Sequence, residues 1–324
     1  MRFRHTRAAQ AARAAVTTAA VLTLASVGVS AFAGDLPSEA AGEQGAGPET
    51  MPYAVEDFPR TLQVMSWNMC GSQRASWGCD GTGTHEDKIG VVTRNVTVNR
   101  VEAALLQEVC EDDLTLLMSR LGTHWSSAFQ PYQWSQEGRT TPSRCGEDGT
   151  GRADRIGTAI LAKGPLGDPK PYPTTQPTTG LNTPFHCATT LTWNVRLCTV
   201  HAARLGAEQA HPTWDYRDDQ FAQIKNVVDT FPHTVIGGDF NAQSPDTPGN
   251  TAAWIWPADL YSTGPGTPGY LECDQTGTTR TGRPTHRSGV KIDYIFGSEP
   301  RNWCSVAPTP YSDHHVLVES FDGP

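Results

Sequence analysis

Eight short runs along the chain are dominated by Val, Ile, Leu and Thr and are bounded by Gly, Pro or Asn. They cover 61–67 (TLQVMSW), 101–107 (VEAALLQ), 156–162 (IGTAILA), 187–193, 195–200, 234–240, 290–296 and 315–321. Runs of this length and composition predict β-strands. Between them the apolar period changes. Leu114, Leu117 and Leu121 follow the cap candidates Asp112 and Asp113 at helical spacing, as do Phe221, Ile224, Val228 and Phe231, and Ile89, Val92 and Val96. Many strands with a few interspersed helices predict sheet packed on sheet, with helices outside.

Composition then divides the chain. Arg2, Arg4, Arg7 and Arg13 precede an Ala/Val/Leu-rich run that closes on Ala31-Phe32-Ala33. This reads as a signal peptide over 1–33, removed so that the mature chain begins at Gly34, and the expected location is secreted. Residues 34–59 carry Asp35, Glu39, Glu43, Glu49, Glu56 and Asp57 and no Lys or Arg. They read as an acidic leader with too little apolar surface to fold, leaving 60–324 as one large domain.

In an oxidising compartment the 8 cysteines are read as four disulfides. No two form a Cys-x-x-Cys pair, so zinc lacks its usual spacing. Cys187 and Cys198 lie symmetrically about Thr192 and Trp193, and a hairpin there sets them opposite each other. Cys70 with Cys79 and Cys273 with Cys304 are further candidate pairs.

The net charge of −9 includes the four arginines of the first segment. Without them 21 basic residues face 34 acidic ones, or −13; without the leader's six acids the domain stands at 21 against 28, or −7. Such a domain exerts no global pull on a polyanion. Phosphate chemistry here would need local attraction, and a bound cation supplies it. Basic side chains do gather in one loop-like segment, with Arg280, Arg283, His286, Arg287 and Lys291.

The stretch VIGGDFNAQS (235–244) places Asp239 and Asn241 on either side of Phe240. If the strand continues, alternation sets Asp239 and Asn241 side by side on one face and Phe240 on the other. Gly237 and Gly238 are expected to leave room for a ligand. An ordinary Asx turn is the competing reading.

Other polar residues fall at strand ends in the same way. Asn68 ends VMSWN, Glu108 ends ALLQE and His201 ends LCTVH; Asp293 interrupts KIDYIF, and Asp313-His314 precedes the last strand. If these ends meet, Glu108, Asp239, Asp293 and Asp313 crowd together, and their repulsion demands a counter-charge. A hard divalent cation bound by oxygens answers that demand, with Mg²⁺ first and Mn²⁺ or Ca²⁺ as alternatives. Two histidines beside it supply proton transfer. With no evident Ser or Cys nucleophile, the set describes in-line attack of water on a phosphoryl group, Asn68 and Asn241 hydrogen bonding to phosphate.

The ordered set WN (67–68), QE (107–108), VH (200–201), GDFN (238–241), IDYIF (292–296) and SDHH (312–315) resembles the endonuclease/exonuclease/phosphatase superfamily, the DNase I-like fold. The resemblance spans about 61–321. It implies a four-layer α/β sandwich of two packed mixed β-sheets flanked by helices, with the site at one edge. It implies Glu108 as principal metal ligand, Asn68 and Asp313 nearby on metal or phosphate, and Asp239 orienting or deprotonating the attacking water. Asn241 would bind phosphate. His314, held by Asp293, and His201 would form the acid and base pair.

One departure is Cys110, where pancreatic DNase-like relatives carry an arginine two residues after the metal glutamate. RCGEDGTGRADR (144–155) is similar to their exposed cysteine loop, which makes Arg155, or its neighbour Arg152, the expected phosphate contact. The leading expectation is a monomeric nuclease acting on extracellular DNA without a protein partner. Its alternative is a sphingomyelinase-type enzyme acting on membrane lipid, docking through Trp254-Ile255-Trp256. A non-catalytic module of the same fold would require loss of a catalytic group, and all are present.

Overall fold

In a computed structural model, which describes residues 61–72, 75–146, 152–204, 207–208, 211–264 and 267–323, the strand-rich pattern forms two six-stranded mixed sheets. The expected signal segment and acidic leader lie outside the described residues.

The domain opens with β1 (Thr61–Asn68), α1 (His85–Val98), β2 (Ala103–Cys110) and α2 (Glu111–Leu121). Then come β3 (Trp125–Pro131), the hairpin of β4 (Gln133–Gln136) and β5 (Arg139–Pro142), β6 (Ile156–Lys163) and β7 (Leu166–Tyr172). The middle holds β8 (Gly180–Asn182), β9 (Phe185–Thr190), β10 (Val195–His201), the short pair β11 (Ala207–Glu208) and β12 (His211–Asp215), and α3 (Tyr216–Val228). The chain ends through β13 (Thr234–Asp239), β14 (Leu271–Glu272), β15 (Asp293–Gly297), β16 (Arg301–Ala307) and β17 (Val316–Asp322).

One sheet has the order β16-β17-β1-β2-β6-β3, the other β14-β15-β13-β10-β9-β7, and β5-β4-β8 form a separate small sheet. Side-chain alternation sorts the core into layers. Leu62, Val64, Leu105 and Ile160 of the first sheet meet Leu197, Val235 and Ile295 of the second. On the outer face of the first sheet, Met65, Trp67 and Leu106 pack against Ile89 and Val92 of α1 and Leu114 and Leu117 of α2. On the outer face of the second, Val200, Ile236 and Phe296 pack against Phe221, Ile224 and Val228 of α3. Helices, sheet, sheet and helix make the four-layer α/β sandwich.

The eight apolar runs all contribute strands, and the three helical periods are α1, α2 and α3. The four disulfides join Cys70–Cys79, Cys110–Cys145, Cys187–Cys198 and Cys273–Cys304. Cys187 and Cys198 are directly opposite on β9 and β10, as the hairpin symmetry requires.

The glycine pair of β13 serves a different purpose from the expected one. A Cβ on Gly237 would stand 2.7 Å from Leu105 Cδ1 of the facing sheet, and one on Gly238, at φ +151°, would stand 1.9 Å from Val200 O. Both glycines admit neighbouring chain rather than a ligand.

Candidate active site

Pairing direction brings the distant polar residues together. β1 runs parallel to β2 and β10 parallel to β13, so each pair ends at one edge. Within the second sheet His201 pairs with Asp239, and Asp239 with Asp293, which sets three functional groups abreast. β17 runs antiparallel to β1, so the Asp313-His314 segment before it lies beside the end of β1. Trp67 Nε1 donates to His314 O at 3.2 Å, and Ser312 Oγ to Asn68 O at 2.8 Å.

Glu108 needs more than alternation. Counting from inward-facing Leu105, Gln107 faces the second sheet, where its Nε2 donates to Thr199 Oγ1 at 3.1 Å, and Glu108 should face away. The β2–β6 register shifts between Leu106 and Val109, and Glu108 adopts φ +52°. This bulge re-aims the carboxylate toward the site. Asn68 Nδ2 then donates to Glu108 Oε1 at 3.1 Å and to Asp239 Oδ2 at 3.3 Å.

Asp239 Oδ2 is the hub, with His201 Nε2 at 3.6 Å and His314 Nε2 at 3.7 Å. His314 Nδ1 lies 2.9 Å from both oxygens of Asp293. Burial works against its charge, yet Asp293 and Asp239 beside it raise His314 to about 10. His201 goes the other way. Burial pushes it down to about 4, against the pull of Asp239. Glu108, Asn241, Asp313 and both histidines line one cleft of about 560 Å³.

Several expectations need correction. β13 ends at Asp239; Asn241 takes φ +50° and its N–H donates to Asp239 Oδ1 at 2.8 Å. Asp239 and Asn241 therefore share an Asx turn at the cleft rather than one strand face, while Phe240 fills the core against Phe221, Trp256 and Tyr294. Asn68 was expected on metal or phosphate. Its Oδ1 accepts the Cys70 N–H at 3.0 Å, which turns the NH₂ toward the carboxylates. In this setting the Asn68 amide is a strut between Glu108 and Asp239.

Arg155 is not among the residues lining the cleft, and its Nε donates to Glu111 Oε2 at 2.8 Å. Arg152 pairs with Asp154 and Asp113. In the basic segment Arg280 pairs with Asp246, Arg283 with Asp274 and Lys291 with Glu272, so most of its charge is neutralised within the fold. His286 does reach the site, 3.2 Å from Asp313 Oδ2, and Arg287 follows at 3.8 Å. In Trp254-Ile255-Trp256, the last two are buried and only Trp254, 54% exposed, projects.

Three functional features carry little signal in the sequence. Tyr132, wholly buried, accepts the Glu108 N–H at 3.0 Å and contacts His201 Nδ1 at 2.7 Å. Lys88 lies in the helical period of α1 but is fully buried, its Nζ donating to Met69 O, Thr82 O, Thr82 Oγ1 and Tyr311 O at 2.6–3.1 Å. Burial lowers it to about 8, and it fastens the loops on both sides of the cleft. The Cys70–Cys79 disulfide touches the site itself, with Cys79 Sγ 3.5 Å from Glu108 Oε2 and Cys70 Sγ 2.9 Å from Asp313 Oδ1.

The donor set fits a hard divalent cation. Glu108, Asp239 and Asp313 are buried carboxylates. Burial raises Glu108 to about 7, and Asp239 and Asp313 add to the rise against the opposing effects of Asn68 and His314. A cation beside Glu108 removes that penalty, and oxygen donors select for hardness. Glu108 would hold it, with Asp239 and Asp313 the neighbouring carboxylates.

Fold and site together define a hydrolase of phosphate esters. The sequence profile of the Endonuclease/Exonuclease/phosphatase family matches residues 65–314, and the chain belongs to that family. Enzymes of this family generally use divalent metal ions.

Solved structures agree on the fold. An endonuclease/exonuclease/phosphatase from Beutenbergia cavernae is similar at TM-score 0.57 and 17% identity, over 82% of this chain and 72% of that one. TDP2 of D. rerio, humanised by 14 mutations, is similar at TM-score 0.51 and 15% identity, over 81% and 99%. ANGEL2, a 2′,3′-cyclic phosphatase in complex with adenosine-2′,3′-vanadate, is similar at TM-score 0.51 and 14% identity, over 81% and 95%. No curated protein matches by sequence.

Proposed function

We propose that the protein is a secreted, Mg²⁺-dependent phosphodiesterase whose substrate is DNA. One observation supports the catalytic reading above the others: Glu108, Asp239, His201 and His314, drawn from four strand ends, meet on one cleft. The arginine-led apolar N-terminus and the pairing of all 8 cysteines support export.

A cation at Glu108 would neutralise charge on the nonbridging oxygens and acidify a water. The protein's own groups divide the remaining work. Tyr132 accepts the Glu108 N–H, so its hydroxyl proton goes to His201 Nδ1. The neutral His201 ring then carries its proton on Nε2, as a hydrogen-bond donor facing the cleft. His314, charged and held at Nδ1 by Asp293, has a proton to give at Nε2. Asp239 lies between the rings and orients the attacking water. The Asn68 amide fixes the carboxylates of Glu108 and Asp239, and Asn241, on the cleft lining, holds phosphate oxygens.

The test is a panel of supercoiled DNA, RNA, sphingomyelin vesicles and inositol phosphates, each with Mg²⁺ and with chelator. Nicking of the DNA that chelator abolishes is expected. Intact DNA alongside turnover of another substrate replaces DNA by that substrate. No turnover of any of the four with Mg²⁺, Mn²⁺ or Ca²⁺ retires the hydrolase reading.

A further inference from the structure

Besides the charged cluster, the cleft is lined by apolar side chains, among them Trp77, Trp134, Pro177 and Leu181. Trp134 is 44% exposed and lines the cleft, which leaves its indole open to a ligand there. Its position is built rather than incidental. β4 pairs with β8 so that Trp134 stands opposite Leu181, on one face of the small sheet. The alternate residues, Ser135 and Asn182, turn to the other face, where Asn182 Nδ2 donates to Ser135 Oγ at 2.8 Å. Trp134 also follows by two residues Tyr132, whose hydroxyl touches His201, and it lines the same cleft as Glu108, His201, Asp239 and His314.

We propose that Trp134, backed by Leu181, is a stacking platform for an unpaired nucleobase next to the scissile phosphate, which makes single-stranded nucleic acid the preferred substrate. This rests on the phosphodiesterase reading above and narrows it. A flat apolar surface in the same cleft as the phosphate site matches a nucleotide, whose aromatic base is tied to its phosphate through a sugar. A paired duplex gains nothing there, because its bases are already stacked on both faces and must be pulled out first.

The experiment measures KM and kcat with Mg²⁺ on one sequence as single strand and as blunt duplex. It also uses a single strand with a tetrahydrofuran abasic residue next to the cleaved bond. Wild type, W134A and W134F are compared, with circular dichroism and thermal midpoint reporting on folding. The wild type is expected to favour the single strand about tenfold or more. W134A is expected to raise KM on it by about 5- to 100-fold, and W134F to recover most of the loss. Removing the base should cost the wild type much and W134A little, a non-additivity that a merely structural tryptophan would not produce.

An unchanged KM in folded W134A, or equal losses on base-containing and abasic strands, overturns the stacking platform and leaves the phosphodiesterase intact. A wild type that cleaves neither strand retires the nuclease reading and the platform together. A W134A defect seen only as lost phosphocholine release from sphingomyelin vesicles reassigns Trp134 to a cationic headgroup.

Discussion

Two gatherings of buried carboxylates can be set side by side, and the contrast separates a site from a strut. At the cleft, Glu108, Asp239 and Asp313 line a cavity open to solvent, and His286 and Arg287 attend only Asp313. At the other place, between β14, β16 and β17, Glu272 and Glu319 are wholly buried. There Lys291 Nζ lies 2.9 Å from Glu272 Oε1, and Arg301 donates to the backbone carbonyls of Glu272, Cys273 and Gln275. Burial raises the pKa of Glu108, Glu272 and Glu319 alike, Glu319 furthest and helped by Glu272. The second cluster carries its own cations inside the fold. The first leaves Glu108 facing a cavity where an external cation can enter.

The largest expected effects set the two clusters against each other. Glu108→Gln should lower Mg²⁺-dependent turnover on the order of 10³-fold while leaving the urea midpoint unchanged or higher, because it deletes a repelled buried charge. Lys291→Met should do the reverse, costing about 3–5 kcal/mol by stranding Glu272. Urea titrations and initial rates on both variants decide it. A destabilised E108Q, or a K291M of wild-type stability, would erase the distinction between the clusters.

The next effect concerns pH. His186, sealed in the second sheet with Nδ1 3.0 Å from Thr158 Oγ1, is pushed down to about 4, chiefly by burial. Its folded pKa lies below the unfolded value of about 6.5, so the unfolded chain binds the extra proton first. Stability contributed by the neutral ring is therefore present above pH 6.5 and lost as pH falls toward 4, at about 1.4 kcal/mol per pH unit. His186→Gln should reduce the dependence of the urea midpoint over that window by its share, leaving that of His201, which burial also pushes down to about 4. An unaltered slope would remove His186 as a source.

The smallest effect is expected at Arg155. Its pair with Glu111 is largely exposed, and Arg155→Ala should change stability by less than ~1 kcal/mol and leave turnover of DNA near wild type. A large rise in KM would restore Arg155 to substrate binding.

Much of this was legible in the chain. Strands buried on both faces announce themselves as apolar runs, and polar residues at their ends are conspicuous for that reason. β3, β7 and β16 were not legible, because WSSAFQP, LGDPKPY and RNWCSVA sit at or near sheet edges and mix polar with apolar residues. The set that lines the cleft could be read because Glu108, His201, Asp239 and His314 end or precede strands. Tyr132 and Lys88 could not, since a Tyr after a strand of mixed polarity and a Lys in an amphipathic helix look ordinary until their burial is known. The roles of Asn68 and Asn241 depended on backbone detail. One amide orientation and one residue at positive φ decided what each side chain faces.

The Cys70–Cys79 bridge reaches further than its small loop suggests. Most disulfides shorten the unfolded chain and have no say in chemistry. This one lies against two acids contributed by segments of chain 205 positions apart, at 108 and 313. Sulfur thereby forms part of the floor on which those oxygens rest. Thiols in its place would free the Cys70 and Cys79 side chains that lie against those oxygens.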